Sequence, residues 1–331
     1  MPAMKSSREA LSVLLEPVAD GMERMRAVLA AQLQETSPAV SDMTEHVRRF
    51  RGKGLRAALV LLVGEATGNT TDEHASVAAI VEMIHLATLV HDDILDGATV
   101  RRRVACVNER WDNQTAVLLG DFLYARAFAL STDLSSRLAS RLLAETTRGI
   151  CVGEIEQSTR RYDFELAQTT YEKIASAKTG ILYGTACTLG ARYPGGNEIV
   201  GDAMETFGNR LGLAFQIIDD CLDLTASTQG LGKSVGTDVE DGKITLPVLR
   251  VYSHADEDQR AAIRDVYTRP GLTDRAARLR EVCDLEPGLV YARNRARTLL
   301  HAALKNLKNL PDTPARGALF GMAEFVSERG F

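Results

Sequence analysis

Apolar residues recur at helical spacing along almost the whole chain. Residues 7–34 have them at i, i+3, i+4 and i+7, which predicts an amphipathic helix with one buried face. A second helix is expected after Ser41, and the apolar run from Leu55 to Ala66 predicts a buried one. Capping residues at 68–72 open a long helix that ends just after Asp96.

The same spacing continues toward the C-terminal end. Helices are predicted over 114–131, 133–157, 168–192 and 197–226, then as shorter pieces from Ile244, with breaks at Pro270 and Pro287 and a final helix after Pro314. The stretches 97–113 and 230–242 predict loops, and no alternating pattern indicates a strand. Nine prolines and 5% aromatic residues in 331 also favour helices. We therefore predict one all-α domain over residues 1–331.

Clustered aspartates mark two of these helices. The first cluster is Asp92, Asp93 and Asp96, and the second is Asp219, Asp220 and Asp223. Positions four apart stack on one helical face, so each cluster holds a close pair of like charges that repel each other. Mg²⁺ removes this repulsion because it takes oxygen ligands and shares them with substrate phosphates. The pattern predicts two facing helices that hold a diphosphate through Mg²⁺.

Basic residues accompany both clusters. The first is followed by Arg101, Arg102 and Arg103, the second by Lys233 and Lys243 among glycines, and Lys53 and Arg56 lie upstream. Cations beside metal-binding carboxylates suit a polyanion, because they bind the phosphate oxygens that the metal does not coordinate. The alternative is a set of solvated salt bridges between loops and helices. A single Asp-Asp-x-x-Asp motif is weak evidence for a binding site. Two such motifs with these basic neighbours favour a functional site over salt bridges.

These motifs resemble the trans-isoprenyl diphosphate synthases, the polyprenyl synthetases of the class I isoprenoid-synthase fold. The resemblance covers essentially the whole chain, including 52–56, 85–102, 120–123, 177–179 and 215–246. It implies a helical bundle around a deep central cavity. It also implies a Mg²⁺-dependent prenyltransferase that joins isopentenyl diphosphate head-to-tail to an allylic diphosphate.

The resemblance assigns roles to individual residues. It implies that Mg²⁺ is bound directly by Asp92, Asp96 and Asp219, while Asp93, Asp220, Asp223 and Asp238 complete or orient the metal's surroundings. The allylic diphosphate is expected on Arg101, Lys178, Lys233 and Lys243, and isopentenyl diphosphate on Gly52, Lys53, Arg56, His85 and Arg102. Thr179 and Gln216 would stabilise the carbocation, with the released pyrophosphate as general base. His91 and Trp111 are expected to be structural, and Gln157 is left undecided.

Four positions depart from the family pattern. The family usually has Lys-Arg-Leu-Arg-Pro where this chain has residues 53–57, Gly where Arg103 stands, and often His where Asn108 stands. None of these changes removes an expected ligand. They affect the shape of the isopentenyl pocket rather than the chemistry.

Product length is expected to depend on residues just before the first cluster. Ala87 and Thr88 lie five and four positions ahead of Asp92, where short-chain synthases typically carry Phe or Tyr. Helical phase places Thr88 and Val81 beneath Asp92 more convincingly than Ala87, so the expectation rests on Ala87 and Thr88 as a pair. The small residues favour a medium- or long-chain product, hexaprenyl to decaprenyl, for quinone side chains. A bulky residue from another helix could still close the tunnel.

Several other functions are weighed against this one. A short-chain farnesyl or geranylgeranyl synthase stays open, as does a non-catalytic subunit of a heteromeric synthase, although such subunits lose aspartates that this chain keeps. A class I terpene cyclase would lack the isopentenyl pocket, and a head-to-head squalene-type synthase is disfavoured for the same reason. Dimerisation is expected by resemblance alone.

Composition and charge exclude other classes. A hydrophobic share of 45% and a charged share of 25% are typical of a soluble globular protein, and a net charge of −5 indicates no nucleic-acid surface. The sequence has five scattered cysteines, which favours a reducing, cytoplasmic location. Neither a signal peptide nor a membrane-spanning run is expected.

Overall fold

The computed structural model describes residues 7–50, 52–225 and 236–328. The N-terminal half contains α1 (Ser7–Leu15), α2 (Ala19–Gln32), α3 (Pro38–Arg48), α4 (Leu55–Thr67), α5 (His74–Leu95), α6 (Val107–Arg110), α7 (Asn113–Thr132) and α8 (Leu138–Thr159). Two short strands, β1 (Val100–Arg101) and β2 (Val104–Ala105), pair antiparallel between α5 and α6. The long helices expected around 55–66, 72–96 and 114–131 are confirmed.

The C-terminal half is also helical. It contains α9 (Gln168–Ala175), α10 (Ile181–Arg192), α11 (Glu198–Thr225), α12 (Thr237–Glu240), α13 (Leu246–His254), α14 (Glu257–Thr268), α15 (Arg275–Val282), α16 (Glu286–Leu304) and α17 (Pro314–Glu328). The predicted all-α class is confirmed. The glycine-rich stretch 230–242 is only partly a loop, because its described end forms the helical turn α12.

Prolines shift several predicted boundaries. The first predicted helix is interrupted by a 3₁₀ turn at Glu16–Val18, where Pro17 removes a backbone donor, so α1 and α2 are separate. The second begins at Pro38 rather than after Ser41, because a first-turn proline needs no intrahelical hydrogen bond. Pro287 likewise lies in the first turn of α16, where it starts a helix. The break at Pro270 is confirmed, since it lies between α14 and α15.

The predicted loop 97–113 contains the hairpin β1–β2. Its two-residue turn is Arg102-Arg103, with φ of 52° and 66°. Positive φ at both central residues is typical of the tight turn that matches strand twist, and Asn-Gly is the usual sequence there. Two arginines give no such signal, so the sequence does not predict this hairpin.

Helix α5 lies at the centre of the bundle and packs against α2, α4 and α7. From Val77 to Ile84 every residue is buried. In the described part of the chain, α5 alone is long and apolar enough to cross a membrane, and 72% of its apolar window is buried inside the protein. Helices α10 and α4 approach closely at Gly190, where a Cβ would lie 2.4 Å from the carbonyl oxygen of Val60. The aspartate clusters occupy the C-terminal ends of α5 and α11.

Candidate functional site

The first aspartate cluster occupies the last turn of α5. Asp92 and Asp96 are half-buried, whereas Asp93 is fully buried. Burial raises the pKa of Asp92 to about 7; Lys178 opposes this shift, while Glu154 and Asp96 add to it. A carboxyl pKa raised mainly by burial indicates that the ionised form is poorly solvated, and the neighbouring carboxylates add repulsion.

Asp93 is paired with Arg101 of β1. Its Oδ1 accepts a hydrogen bond from Arg101 Nε at 2.7 Å and lies 2.6 Å from Nη2 in an ion pair. These two predicted site residues therefore neutralise each other. The pair also fixes the hairpin β1–β2 to the end of α5.

Lys243 links the first cluster to the segment after the second. Its Nζ lies 2.8 Å from Asp96 Oδ1, 3.0 Å from Asp241 Oδ2 and 3.7 Å from Asp238 Oδ1. The side chain is 8% exposed, and these carboxylates raise its pKa against the opposing effect of burial. A single ammonium group thus brings residues from both parts of the predicted site together.

The second cluster, on α11, divides into residues with different surroundings. Asp219 is half-buried, and Asp220 is buried. The carboxylate of Asp223 accepts hydrogen bonds from the backbone N–H groups of Gly236 and Asp238, both at 3.1 Å. Asp223 therefore caps α12 from a neighbouring helix. This capping holds Asp238 beside the cluster.

Asp220 is hydrogen-bonded through both of its oxygens. Oδ2 accepts from the hydroxyl of Tyr171 at 2.5 Å, and Oδ1 accepts from Gln216 Nε2 at 2.7 Å. Gln216 Oε1 in turn accepts from Thr179 Oγ1 at 2.7 Å. The structure thus brings together Thr179 and Gln216, the two residues predicted to stabilise a carbocation.

Lys178 lies in a π-helical turn, Ser176–Gly180, between α9 and α10. Its Nζ donates to Gln157 Oε1 at 2.5 Å and pairs with Glu154 Oε1 at 2.8 Å. Gly153 makes this approach possible, because a Cβ there would lie 2.8 Å from Ala177 Cβ. Such turns add one residue to a helix and are frequent at functional sites. The predicted continuous helix over 168–192 is therefore distorted at Lys178.

The residues predicted to bind isopentenyl diphosphate form a second basic group. Arg56 Nη1 donates to His85 Nε2 at 3.0 Å, and its guanidinium carbon lies 4.5 Å from the ring centroid of Tyr183. Burial, followed by the charges of Arg56 and Arg102, holds the pKa of His85 well below its usual value. The imidazole is therefore neutral and accepts the hydrogen bond.

Gly52 and Lys53 border the same basic group. A Cβ on Gly52 would lie 2.4 Å from Arg102 Nη2, so a larger residue would displace that guanidinium from its present position. Lys53 Nζ lies 4.3 Å from the ring centroid of Phe325 on α17. Arg102 also donates to the carbonyl oxygen of Phe50.

Other predicted residues have simpler surroundings. Ala87 is fully buried, whereas Thr88 is half-buried and donates to the carbonyl oxygen of His85 at 2.8 Å. His91 packs against Gly120 and lies 3.1 Å from the carbonyl oxygen of Val117, which agrees with a structural role. Lys233 lies outside the described residues.

Sequence reasoning missed Glu154 and Tyr171 and left Gln157 undecided. Glu154 and Gln157 are three residues apart at the end of α8, so they share a face, and both contact Lys178. That spacing after Gly153 was the available signal. Nothing in the sequence marks Tyr171, because its partner Asp220 is 49 positions away.

The bundle and its two aspartate-bearing helix ends define a class: this is an all-α protein of the class I isoprenoid-synthase fold. A model of the polyprenyl synthetase family matches residues 37–284. The chain belongs to that family, and it is a prenyltransferase of the trans-polyprenyl diphosphate synthase class.

Its relatives match over almost their full length. It is 32% identical over 310 residues to an octaprenyl diphosphate synthase of Haemophilus influenzae, covering 94% of each chain. It is 32% identical over 313 residues to the heptaprenyl diphosphate synthase component 2 of Bacillus subtilis, covering 94% of this chain and 89% of that protein. A polyprenyl synthase from Caulobacter crescentus, crystallised with calcium and isoprenyl diphosphate, has a TM-score of 0.92 at 31% identity, covering 97% and 98%. In that structure a divalent cation accompanies the prenyl diphosphate.

Proposed function

We propose that the protein elongates an allylic prenyl diphosphate by head-to-tail condensation with isopentenyl diphosphate, giving all-trans products of hexaprenyl to decaprenyl length. The observation that carries this proposal is that Lys243 joins the first aspartate cluster to the segment after the second, with Lys178 close to both. Lys243 pairs with Asp96 and lies near Asp238, while burial raises the pKa of both Asp92 and Asp238 and the charge of Lys178 opposes both shifts. Carboxylates and cations around one space suit a diphosphate bound with metal.

The donor atoms fit Mg²⁺. In the described residues no three His, Cys, Asp or Glu side chains are grouped as a ready metal site. Mg²⁺ is usually held by one or two carboxylates together with substrate phosphates and water. Asp92 and Asp96 supply such a pair, and the raised pKa of Asp92 indicates charge that a cation would neutralise. We assign direct contact to Asp92, Asp96 and Asp219, and the supporting positions to Asp93, Asp220, Asp223 and Asp238.

When bound, Mg²⁺ neutralises charge on the leaving diphosphate. Arg101, Lys178, Lys233 and Lys243 are proposed to take its remaining oxygens. The C1–O bond of the allylic substrate breaks, and the oxygen keeps the electron pair. Gln216 and Thr179 present oxygen atoms toward the carbocation that remains. The double bond of isopentenyl diphosphate then forms the new C–C bond, and a proton leaves to the released pyrophosphate.

Isopentenyl diphosphate is proposed to bind on the second basic group. Lys53, Arg56 and Arg102 supply cationic donors, His85 supplies a neutral ring, and Gly52 allows the close approach of Arg102. Two separate basic groups suit a reaction that joins two diphosphate substrates. A terpene cyclase needs only one.

The product class follows from Thr88 and Ala87 and from the relatives, which include an octaprenyl and a heptaprenyl synthase. We infer that the products serve as quinone side chains. The alternative is a shorter farnesyl or geranylgeranyl product.

We also propose that the chain acts in the cytoplasm as one domain over 1–331 and as a homodimer. Exposed apolar side chains on α7 and α8 support the dimer, since Leu118 is 61% and Ile155 is 64% exposed. The relative that is a component of a heptaprenyl synthase makes a heteromer the alternative. Sedimentation and an activity assay of the purified chain distinguish the two. A heteromeric component would be monomeric or inactive without its partner.

The first experiment incubates the purified protein with isopentenyl diphosphate, Mg²⁺ and farnesyl or geranylgeranyl diphosphate, and sizes the dephosphorylated product by chromatography. A ladder that ends at a defined long prenyl alcohol supports the proposal. A ladder that ends at geranylgeranyl keeps the reaction and overturns the product class. Folded protein without elongation contradicts the catalytic proposal, and so would full activity in Asp92→Ala.

A further inference from the structure

Three hydrogen bonds connect Tyr171 on α9 to Thr179 in the π-helical turn by way of α11. Tyr171 donates to Asp220 at 2.5 Å, Gln216 donates to Asp220 at 2.7 Å, and Thr179 donates to Gln216 at 2.7 Å. We refer to these four residues as the Tyr171 relay. Tyr171 is 7% and Asp220 is 5% exposed, so bulk water has little access to the central carboxylate. Both ends of the relay lie on one chain segment, which ties that segment to α11.

The chemistry of the groups fixes the direction of each bond. An ionised carboxylate only accepts hydrogen bonds, so the part of the Gln216 amide that faces Asp220 must be its NH₂ group. The amide oxygen is then turned to the opposite side, where it accepts from Thr179. This oxygen has a second lone pair that the relay does not use. Without Asp220, the two orientations of the amide would be nearly equivalent sterically.

We propose that Tyr171 and Asp220 are positioning residues that hold the Gln216 amide with its oxygen, rather than its N–H groups, toward the carbocation. This inference rests on the proposed function, in which the cation forms beside Thr179 and Gln216. A carbonyl oxygen stabilises a nearby cation, whereas amide hydrogens in the same place repel it, so an amide flip reverses the sign of the interaction. Asp220 then acts through Gln216, whereas Asp219, its neighbour in the sequence, binds the metal.

Tyr171→Phe tests the relay by removing only the hydroxyl. Tyr267→Phe is the matched control, because Tyr267 is also buried near the second cluster but its hydroxyl has no hydrogen-bond partner in the described part of the chain. Loss of one such bond corresponds to roughly a tenfold change. We expect kcat to fall about tenfold in Tyr171→Phe, with unchanged KM for isopentenyl diphosphate, and to be unaffected in Tyr267→Phe. Equal kcat in both variants overturns the inference.

Asp220→Asn and Asp219→Asn separate positioning from metal binding. An amide at position 220 can still accept from Gln216 while it donates to the Tyr171 oxygen, so Asp220→Asn should keep the Mg²⁺ concentration for half-maximal activity within about twofold. Asp219→Asn should raise that concentration at least tenfold. An equal increase in both variants overturns the positioning role.

The wild-type protein in the same assay separates this inference from the proposed function. If it makes no elongated product, the proposed function fails and the relay loses its basis. If it is active and the tyrosine or aspartate comparison fails, only the relay is wrong. Thermal unfolding of every variant identifies loss of folding, and the aspartate pair keeps the inference testable if Tyr171→Phe does not fold.

Discussion

Lys243 Nζ lies 2.8 Å from Asp96 Oδ1, although the two residues are 147 positions apart. The contact joins the last turn of α5 to the segment that follows the second aspartate cluster. Lys243 also balances Asp241 and Asp238, so several carboxylates share one ammonium group. The fold therefore already brings together residues that we propose bind metal and diphosphate.

Lys243→Met is expected to destabilise the protein by about 3 kcal/mol, because it leaves partly buried carboxylates without their cation. Mg²⁺ should recover part of this loss by neutralising the same charges. Denaturant unfolding with and without Mg²⁺ measures both effects. Lys173→Met on the exposed side of α9 is the control and should change stability by less than about 0.5 kcal/mol. Equal effects of the two substitutions would contradict the role of Lys243.

Gly153→Ala is expected to displace Lys178. The added Cβ would lie 2.8 Å from Ala177 Cβ and 3.1 Å from the backbone nitrogen of Lys178. Such overpacking costs about 1–3 kcal/mol, and a displacement of the lysine should lower kcat at least tenfold. The measurements are steady-state kinetics and thermal unfolding.

Gly149→Ala is the matched control for Gly153→Ala, one turn earlier on α8. Its Cβ would meet only the terminal Cδ1 of Ile181 at 2.5 Å, and that flexible end can move aside. Activity close to wild type is expected. If both alanine variants lose activity equally, the approach of α8 to the π-helical turn is not what positions Lys178.

Mg²⁺ should stabilise the protein more at high pH than at low pH. Burial raises the pKa of Asp92 to about 7 and that of Asp220 to about 6, above the ordinary value of about 4. The folded protein thus binds protons at higher pH than the unfolded chain, so these groups make the metal-free protein more stable as pH falls from above 7 toward 4. Protons also compete with the cation for the oxygens of Asp92.

The measurement is the Mg²⁺-induced shift in Tm at pH 8 and at pH 6. The shift should be about 1–2 degrees larger at pH 8, corresponding to about 1 kcal/mol. Asp92→Asn removes one titrating ligand and should reduce both the shift and its pH dependence. An equal shift at both pH values would contradict a Mg²⁺ site formed by titrating carboxylates.

Arg103→Gly is expected to stabilise the hairpin β1–β2. Arg103 has φ of 66°, a left-handed conformation that costs a residue with a side chain about 1 kcal/mol relative to glycine. The family usually has glycine at this position, so the departure noted in the sequence has a backbone cost. Arg103→Ala loses the same guanidinium but keeps a Cβ, and the difference in unfolding free energy between the two variants isolates the backbone effect. Equal unfolding free energies in the two variants would contradict backbone strain at Arg103.

Thr88→Phe is expected to shorten the product with less loss of stability than Ala87→Phe. Thr88 is half-buried and lies on the α5 face that carries His85 and Asp92, so a larger side chain there can extend beneath the first cluster. Ala87 has no exposed surface, and phenylalanine there must displace packed neighbours at a cost of about 1–3 kcal/mol. Product chromatography and thermal unfolding test the pair. An unchanged product distribution in both variants would contradict their role in chain length.

The helices were predictable because burial in a bundle repeats every three to four residues, and α4, α5 and α7 carry that pattern strongly. The errors lie where backbone chemistry overrides the pattern. Pro17 separates α1 from α2, two arginines form the turn of the hairpin, and the π-helical turn at Lys178 adds a residue without interrupting the apolar face.

Periodicity fixes which positions share a helical face, so the fold class, the two aspartate-bearing helices and the residue types of the site could be predicted from the sequence. The tertiary structure sets what each side chain contacts. It paired Asp93 with Arg101, made Asp223 a cap for α12, enclosed Asp220 in the Tyr171 relay and set Glu154 against Lys178. These partners come from other elements of the fold. Spacing along one helix carries no information about the neighbour that a packed bundle brings against it.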